Sequence, residues 1–233
     1  HWLGGVGVVM FALVVLPSLG RTKLTLSSVE LSPLAKDNFR YRTQKTYQIL
    51  LMVYVGLTVA CTVLLKIAGM NWFDAVNHAF STIATGGFST KNQSVAYFDS
   101  AWIEVILIVF MAISGLHFGL IFATLTGKKN NIFRSEVARY YLLSIAAASV
   151  IIGVSLWHSG IYPTLVSALR YGTFQLVTVA TTTGFATADS TLWTPLAIIL
   201  LILFSLQCAC AGSTAGGIKC DRVLLSVKVI KAR

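Results

Sequence analysis

Two short polar segments interrupt an otherwise apolar chain, and both carry threonine, glycine and phenylalanine in the same order. They are "ATGGFST" at residues 84–90 and "TTTGFAT" at residues 181–187. An extended Thr-x-Gly segment can turn successive carbonyl oxygens toward one axis, where they replace the water shell of a dehydrated monovalent cation. Glycine suits this backbone because it adopts conformations that a side chain would obstruct. The pattern predicts a path for cations rather than covalent chemistry.

The polar segments belong to an internal repeat. The pairs Gly87-Phe88 and Gly184-Phe185 lie 97 residues apart, and each follows a stretch that is typical of a short helix. A repeat of this length in a membrane protein indicates pseudo-symmetry about an axis along the membrane normal. Two loops that merely pack helices are the competing structural interpretation.

A short helix is predicted directly before each polar segment. Asn71 and Asp74 can cap the N-terminus of the first, over residues 72–84, and Pro163 can occupy the first position of the second, over residues 163–180. The first helix would be about 20 Å long, too short to cross a bilayer. Its partially negative C-terminus would point at the polar segment and favour cations.

The positions of these segments follow from a chain that is far too apolar to be soluble. Of its 233 residues, 56% are hydrophobic and 11% are charged, against about 25% charged in a soluble domain. A polytopic membrane protein is therefore predicted. Apolar segments of membrane length are expected at residues 2–19, 47–69, 102–126, 140–157 and 194–218.

The net charge of +10 reflects membrane orientation rather than binding of nucleic acid. Residues 21–45, 128–139 and 219–233 contain 15 of the 18 Lys and Arg residues, which predicts that these stretches are cytoplasmic. Residues 70–100 and 158–193 carry few charges and are expected to face outside. These two stretches contain Lys91, Arg170 and the polar segments. Glu104 lies at the outer start of the next span, and it is expected at the membrane interface.

The four cysteines are predicted to be small packing residues. They all lie in or beside apolar stretches, and the spacing Cys208-x-Cys210 is not that of a zinc site. His117 lies within an apolar span, where it could line a cavity or pack through a hydrogen bond. Neither HExxH nor GxSxG occurs, which speaks against an intramembrane enzyme, the alternative from another functional class.

The stretch "CAGSTAGGIK" at residues 210–219 interrupts the last apolar segment with residues that form poor helix. A phosphate-binding loop is excluded because Ile218 occupies the position that requires lysine. Two interpretations are open from the residues themselves. The small residues could allow close helix packing, or they could form a loop that crosses the permeation path.

These segments, together with "HWLGGVGVVMFALVVLP" at residues 1–17, resemble signatures of the TrkH/KtrB family of potassium transporters. Members have four units, each with a helix M1, a pore helix and a helix M2, arranged in one chain like a tetrameric potassium channel. The resemblance implies an all-α polytopic membrane protein with re-entrant filter segments. It assigns these segments residue by residue: Thr85, Gly86, Gly87, Phe88 and Ser89, and Thr182, Thr183, Gly184, Phe185 and Ala186.

The resemblance also divides the chain. Residues 1–19 would be the M2 helix of the first unit, residues 20–46 a cytoplasmic loop, residues 47–129 the second unit, and residues 130–233 the third unit with an interrupted M2. The first filter segment and the fourth unit would be absent. Because both ends of the sequence are abrupt, the chain is expected to be a fragment of a longer protein.

The function implied by the resemblance is uptake of K⁺ across the cytoplasmic (inner) membrane, with K⁺ as the transported ion and no covalent cofactor. Oxygen atoms of Thr85, Gly86, Gly87, Thr182, Thr183 and Gly184 would bind the ion. The glycine-rich stretch would be a gate beneath the filter. Its residues are Cys210, Ala211, Gly212, Ser213, Thr214, Ala215, Gly216 and Gly217.

The resemblance further implies a ring of cytoplasmic RCK-type nucleotide-binding subunits, a homodimer, contact with membrane lipid and no nucleic acid. Two alternatives are open. One is a sodium-permeable transporter of the same superfamily, and the other is a membrane scaffold that conducts no ion.

Overall fold

The computed structural model describes residues 1–5, 43–127 and 131–231. The predicted first M2 helix beyond residue 5 and most of the loop at residues 20–46 lie outside this part of the chain. Its helices are as follows: α1 Trp2–Gly5, α2 Thr43–Ile67, α3 Trp72–Ile83, α4 Ala101–Ser114, α5 Phe118–Leu125, α6 Glu136–His158, α7 Leu165–Ala180, α8 Pro195–Leu206 and α9 Cys220–Lys231. A short parallel pair joins β1 Gln207–Cys208 to β2 Ile218–Lys219.

The same order of elements occurs twice. A long apolar helix is followed by a short helix, an irregular polar segment, a one-turn 3-10 helix and a second apolar helix, first over residues 43–127 and then over residues 131–231. These two stretches are called the first and the second repeat below. Within each, the long helix packs on the short one, α2 on α3 and α6 on α7. The predicted repeat is therefore present in the fold.

Two helices of the described residues are long and apolar enough to cross a membrane. They are Gln48–Ile67 and Glu136–His158, and a third span results if α4 and α5 are counted as one. The helices α3 and α7 have 12 and 16 residues, about 18 and 24 Å, so they are too short to cross. The prediction of half-membrane helices before the polar segments agrees with these lengths.

Side-chain caps determine where the short helices begin. Asn71 Oδ1 accepts a hydrogen bond from the Asp74 amide at 2.7 Å, and the Asn71 amide group donates to Asp74 Oδ2 at 2.9 Å, as the sequence predicts. The prediction that Pro163 opens the second short helix was wrong. Helix α7 begins at Leu165, since the hydroxyl of Thr164 accepts from the Ser167 amide and satisfies one of the free amides.

The apolar segment predicted at residues 102–126 is helical, but it is bent by 104° between α4 and α5. Gly115 ends α4, and His117 caps α5 by accepting a hydrogen bond from the Gly119 amide at 3.0 Å. The backbone groups released at the bend bond to the glycine-rich stretch. The Cys210 amide donates to the Gly115 carbonyl at 2.9 Å, and the Phe118 amide donates to the Gly212 carbonyl at 3.3 Å.

A buried ion pair joins the two repeats. Glu104 on α4 is only 2% exposed, and its carboxylate accepts two hydrogen bonds from the Arg170 guanidinium on α7, at 2.7 and 2.8 Å. The paired geometry fits the planar guanidinium and offsets part of the desolvation of the carboxylate. Glu104 lies within the protein in the first turn of α4, and it holds the second short helix against the first repeat.

We predict that Arg170→Met lowers the free energy of unfolding by about 3–5 kcal/mol, because it leaves the buried Glu104 carboxylate without its partner. The double variant Glu104→Gln with Arg170→Met is expected to recover a large part of this loss. Thermal unfolding of the purified protein in detergent measures both effects.

Lys228→Met provides a matched control, since it breaks a second ion pair, Lys228–Glu136, whose side chains are 45% and 52% exposed. An exposed pair contributes about 0–1 kcal/mol. Equal losses in Arg170→Met and Lys228→Met would contradict the assigned role of the buried pair.

Candidate functional site: two polar segments and the loop beneath them

The two polar segments share an unusual backbone. Thr85 and Thr182 have positive φ angles of 49° and 55°, and Gly87 and Gly184 have φ of 71° and 92°. The residues between them are not in this conformation. This alternation occurs at equivalent positions of both repeats. A β-branched residue with positive φ is a genuine outlier, and strain of this kind clusters at functional sites.

Hydroxyl groups on the short helices hold the amides of these segments. Ser81 Oγ accepts a hydrogen bond from the Phe88 amide at 2.7 Å, and Thr178 Oγ1 accepts one from the Gly184 amide at 3.1 Å. Ser81 and Thr178 are also 97 residues apart. These two amides therefore point back at the short helices. Neither hydroxyl was predicted from the sequence, although their matching offset was a usable signal.

Two further side chains, at equivalent positions of α3 and α7, hydrogen-bond to the end of each polar segment or to the residue just after it. His78 Nε2 lies 2.9 Å from Ser89 Oγ, and Gln175 Nε2 donates to the Ala188 carbonyl at 2.8 Å. Both side chains are buried, and they occupy the same position of α3 and α7. These residues fix the polar segments against the short helices from behind.

The two phenylalanines have different surroundings. Phe185 is 1% exposed, and its ring stacks on His78 of the first repeat with centroids 5.7 Å apart. Phe88 is 65% exposed and touches the ring of His1, with centroids 4.8 Å apart. Phe185 is therefore packed behind its segment, whereas Phe88 has no comparable burial among the described residues.

The two glycines also differ. A Cβ added to Gly87 would overlap the carbonyl oxygen of Thr183, so the two segments touch at this point. At Gly184, no atom of the described residues lies within 4 Å of an added Cβ, and only the positive φ opposes a side chain. The sequence predicted the same role for both glycines. In the structure, Gly87 is required because the other segment packs directly against it, whereas Gly184 is required only by its positive φ.

Carboxylates stabilise the loops that follow the polar segments. The Asp74 carboxylate accepts from Thr90 Oγ1 at 2.5 Å and lies 3.3 Å from Lys91 Nζ. Burial opposes its ionisation, but these hydrogen bonds and the Lys91 charge outweigh that effect and lower the pKa of Asp74. Hydrogen bonds from the amide and hydroxyl of Thr191 lower the pKa of Asp189.

The glycine-rich stretch is a loop, as predicted, and it lies against both polar segments. Residues 209–217 are neither helix nor strand and connect β1 to β2. The Thr214 hydroxyl donates to the carbonyl of Ile83 at 3.0 Å, at the end of α3. The Gly216 amide donates to Thr182 Oγ1 at 2.8 Å. The loop thus reaches the base of both segments at once.

Small residues allow the loop to occupy this position. Gly212 and Gly217 have positive φ, and a Cβ on Gly212 would overlap the ring of His117. Ala211 and Ala215 are only 4% exposed. The loop is therefore closely packed at Ala211, Gly212 and Ala215, whereas Gly216 and Gly217 are exposed. Larger side chains would displace the bend at His117.

Together these features define an integral membrane protein built from pore-loop repeats, with a polar filter-like layer above a glycine-rich loop. The sequence model of the TrkH family, described as a cation transport protein, matches residues 1–233. The chain belongs to this family.

Similar proteins support the same assignment. The Trk system potassium uptake protein TrkH of Halomonas elongata is 41% identical over 98% of this chain and 48% of that protein. TrkH of Escherichia coli K12 is 39% identical over the same shares. The crystal structure of the potassium transporter TrkH from Vibrio parahaemolyticus matches 99% of this chain and 47% of that chain, with a TM-score of 0.80 and 33% identity. The chain spans about half the length of these relatives.

We predict that Gly87→Ala destabilises the protein more than Gly184→Ala does. The second change places a side chain at positive φ, which costs about 1–2 kcal/mol, whereas the first also forces two backbones apart. Thermal unfolding in detergent measures which of the two variants is less stable. Gly56→Ala on α2 is the control, since the added Cβ meets no described atom there and should raise helix stability slightly. A Gly184→Ala variant that is the less stable of the two would contradict the assigned contact.

We also predict that Thr182→Val loosens the glycine-rich loop. It removes the acceptor for the Gly216 amide, a loss of about 1 kcal/mol, so amide hydrogen exchange across residues 211–217 should accelerate about fivefold. Ser205→Ala is the control, because its hydroxyl bonds only within α8, to the Ile202 carbonyl. Unchanged exchange in Thr182→Val would show that the loop is held by other contacts.

Proposed function

We propose that this chain supplies two of the four quadrants of a pore through which K⁺ is taken up across the inner membrane. The observation that carries the proposal is the matched backbone of the two polar segments, with positive φ at Thr85 and Gly87 and again at Thr182 and Gly184. The names of the relatives, which describe Trk potassium uptake proteins, agree with a monovalent cation as the substrate.

The ion would be coordinated by backbone carbonyl and threonine hydroxyl oxygens. Six residues form the proposed site: Thr85, Gly86, Gly87, Thr182, Thr183 and Gly184. Both segments lie at the C-terminal ends of α3 and α7, whose dipoles favour a positive charge there. Such a site needs no carboxylate in contact with the ion, so a dehydrated K⁺ would bind without becoming trapped.

The glycine-rich loop, residues 210–217, is the proposed gate. In the observed position it hydrogen-bonds to Ile83 and Thr182, directly at the base of the filter layer. Opening requires these bonds to break and the loop to leave the base of the filter layer. The density of glycine and alanine supports this, because few side chains must be repacked.

In the proposed arrangement, the first repeat is the second of four units and the second repeat is the third. Residues 1–5 lie beside the polar segment of the first repeat, as the N-terminal end of a preceding M2 helix would. His1 contacts Phe88, and Trp2 Nε1 donates to Thr58 Oγ1 at 3.0 Å. Regulation by RCK-type nucleotide-binding subunits and assembly as a homodimer are part of the same proposal.

The test is flux of K⁺ and Na⁺ in liposomes, using the full-length protein and a hybrid in which residues 1–233 replace the matching half of Halomonas elongata TrkH. We expect uptake that prefers K⁺. Gly184→Ser should reduce the preference by about tenfold, equivalent to about 1.4 kcal/mol, because it changes the backbone of the filter while leaving space for the side chain.

Gly56→Ser is the matched control and should leave the preference unchanged, since Gly56 lies on the exposed side of α2. An unchanged K⁺ to Na⁺ ratio in a folded Gly184→Ser protein would contradict the filter assignment. Absence of cation flux in both the full-length protein and the hybrid would contradict the proposed function as a whole.

A further inference from the structure

Three metal-binding side chains meet at the foot of the glycine-rich loop, although the sequence predicted packing roles for the cysteines. They are Cys210, Cys220 and Asp221, which expose 2%, 0% and 4% of their surfaces. The Sγ atoms of Cys210 and Cys220 are 3.5 Å apart, and Cys220 Sγ lies 3.7 Å from Asp221 Oδ1. One ligand atom from each residue lies within 4.8 Å of the other two.

These separations are close to those of a tetrahedral metal site. With metal–sulfur bonds of about 2.3 Å, two sulfur ligands of a tetrahedron are about 3.8 Å apart. Two thiolates with one carboxylate suit a soft or borderline divalent cation such as Zn²⁺ or Cd²⁺, and they do not suit K⁺. The three residues leave the fourth position for water.

Charge and chain geometry favour the same ligand. Two thiolates and a carboxylate around a divalent cation carry a net charge of −1, and Lys219, adjacent to Cys220, can offset it. Its ammonium group donates to the Ala215 carbonyl on the loop. Cys220 and Asp221 are the first residues of α9, so two of the three side chains lie on one turn of helix.

We propose that Cys210, Cys220 and Asp221 bind one soft divalent cation, which fixes the two ends of the glycine-rich loop to each other. The two thiols release their protons to solvent when the cation binds. Cys210 lies at the start of the loop and Cys220 directly after β2, so coordination closes the segment between them. This metal link between the two ends of the loop is called the clamp below, and it rests on the proposed gate function. A bound cation would hold the loop beneath the filter layer.

The site is tested by titrating the full-length protein, under a phosphine reductant, with Cd²⁺ alone. We expect one Cd²⁺ per chain, seen as cadmium–thiolate charge-transfer absorption and reversed by a chelator. Cys220→Ala and Asp221→Asn should each weaken binding, the cysteine variant by at least about 100-fold, since loss of even an outer-shell partner costs 10–100-fold. Cys61→Ala is the matched control, a buried cysteine on α2.

The clamp is tested by amide hydrogen exchange, which does not depend on ion transport. Cd²⁺ should slow exchange across residues 211–217 in the parent and Cys61→Ala proteins and leave it unchanged in Cys220→Ala. Thermal unfolding without metal shows whether the variants fold, and Asp221→Asn tests the site without loss of a thiol.

Three results would overturn the proposal: no stoichiometric binding, equal binding in Cys61→Ala and both site variants, or exchange that Cd²⁺ slows as much in Cys220→Ala as in the parent. The last would place the bound cation elsewhere on the protein. Because neither measurement uses K⁺ flux, failure of the metal site is distinguished from failure of the proposed transport function.

Discussion

Backbone polar groups that leave a helix at membrane depth must find partners within the protein, and this requirement organises the structure. Hydrocarbon offers no hydrogen bonds, so each unpaired amide or carbonyl there costs several kcal/mol. The amides of the polar segments bond to Ser81 and Thr178, and those of the glycine-rich loop bond to Gly115 and Thr182. Carbonyl oxygens that have no such partner are available to coordinate a cation.

The same requirement explains why two helices are broken side by side. The bend after α4 and the loop after α8 exchange hydrogen bonds through Gly115, Phe118, Cys210 and Gly212. Either interruption alone would leave buried groups without partners. Movement of the loop would therefore be coupled to the bend at His117, because the bonds across this junction belong to both elements.

Much of the fold could be predicted from the sequence because apolar length and charge distribution act locally. The long helices, the short helices, the Asn71 cap and the loop at residues 209–217 all carry signals within a few residues. The bend at residues 115–117, the burial of Glu104 and the different surroundings of Gly87 and Gly184 depend on partners far along the chain. Single-sequence patterns do not contain those partners. The cluster at Cys210 and Cys220 was missed for the same reason, since β1 and β2 bring the ends of the loop together.

The interlocking of the two repeats has a consequence for biogenesis. The Ala96 amide donates to the Ala186 carbonyl, and the Ala186 amide donates to Ser94 Oγ, 92 residues earlier in the chain. Phe185 likewise completes the surroundings of His78. At 5–20 residues per second, the ribosome needs about 5–20 s to make the intervening chain. During that interval the newly inserted first repeat lacks these contacts from the second repeat, and, among the described residues, its outer loop is held only by bonds within the first repeat, such as that from Thr90 to Asp74.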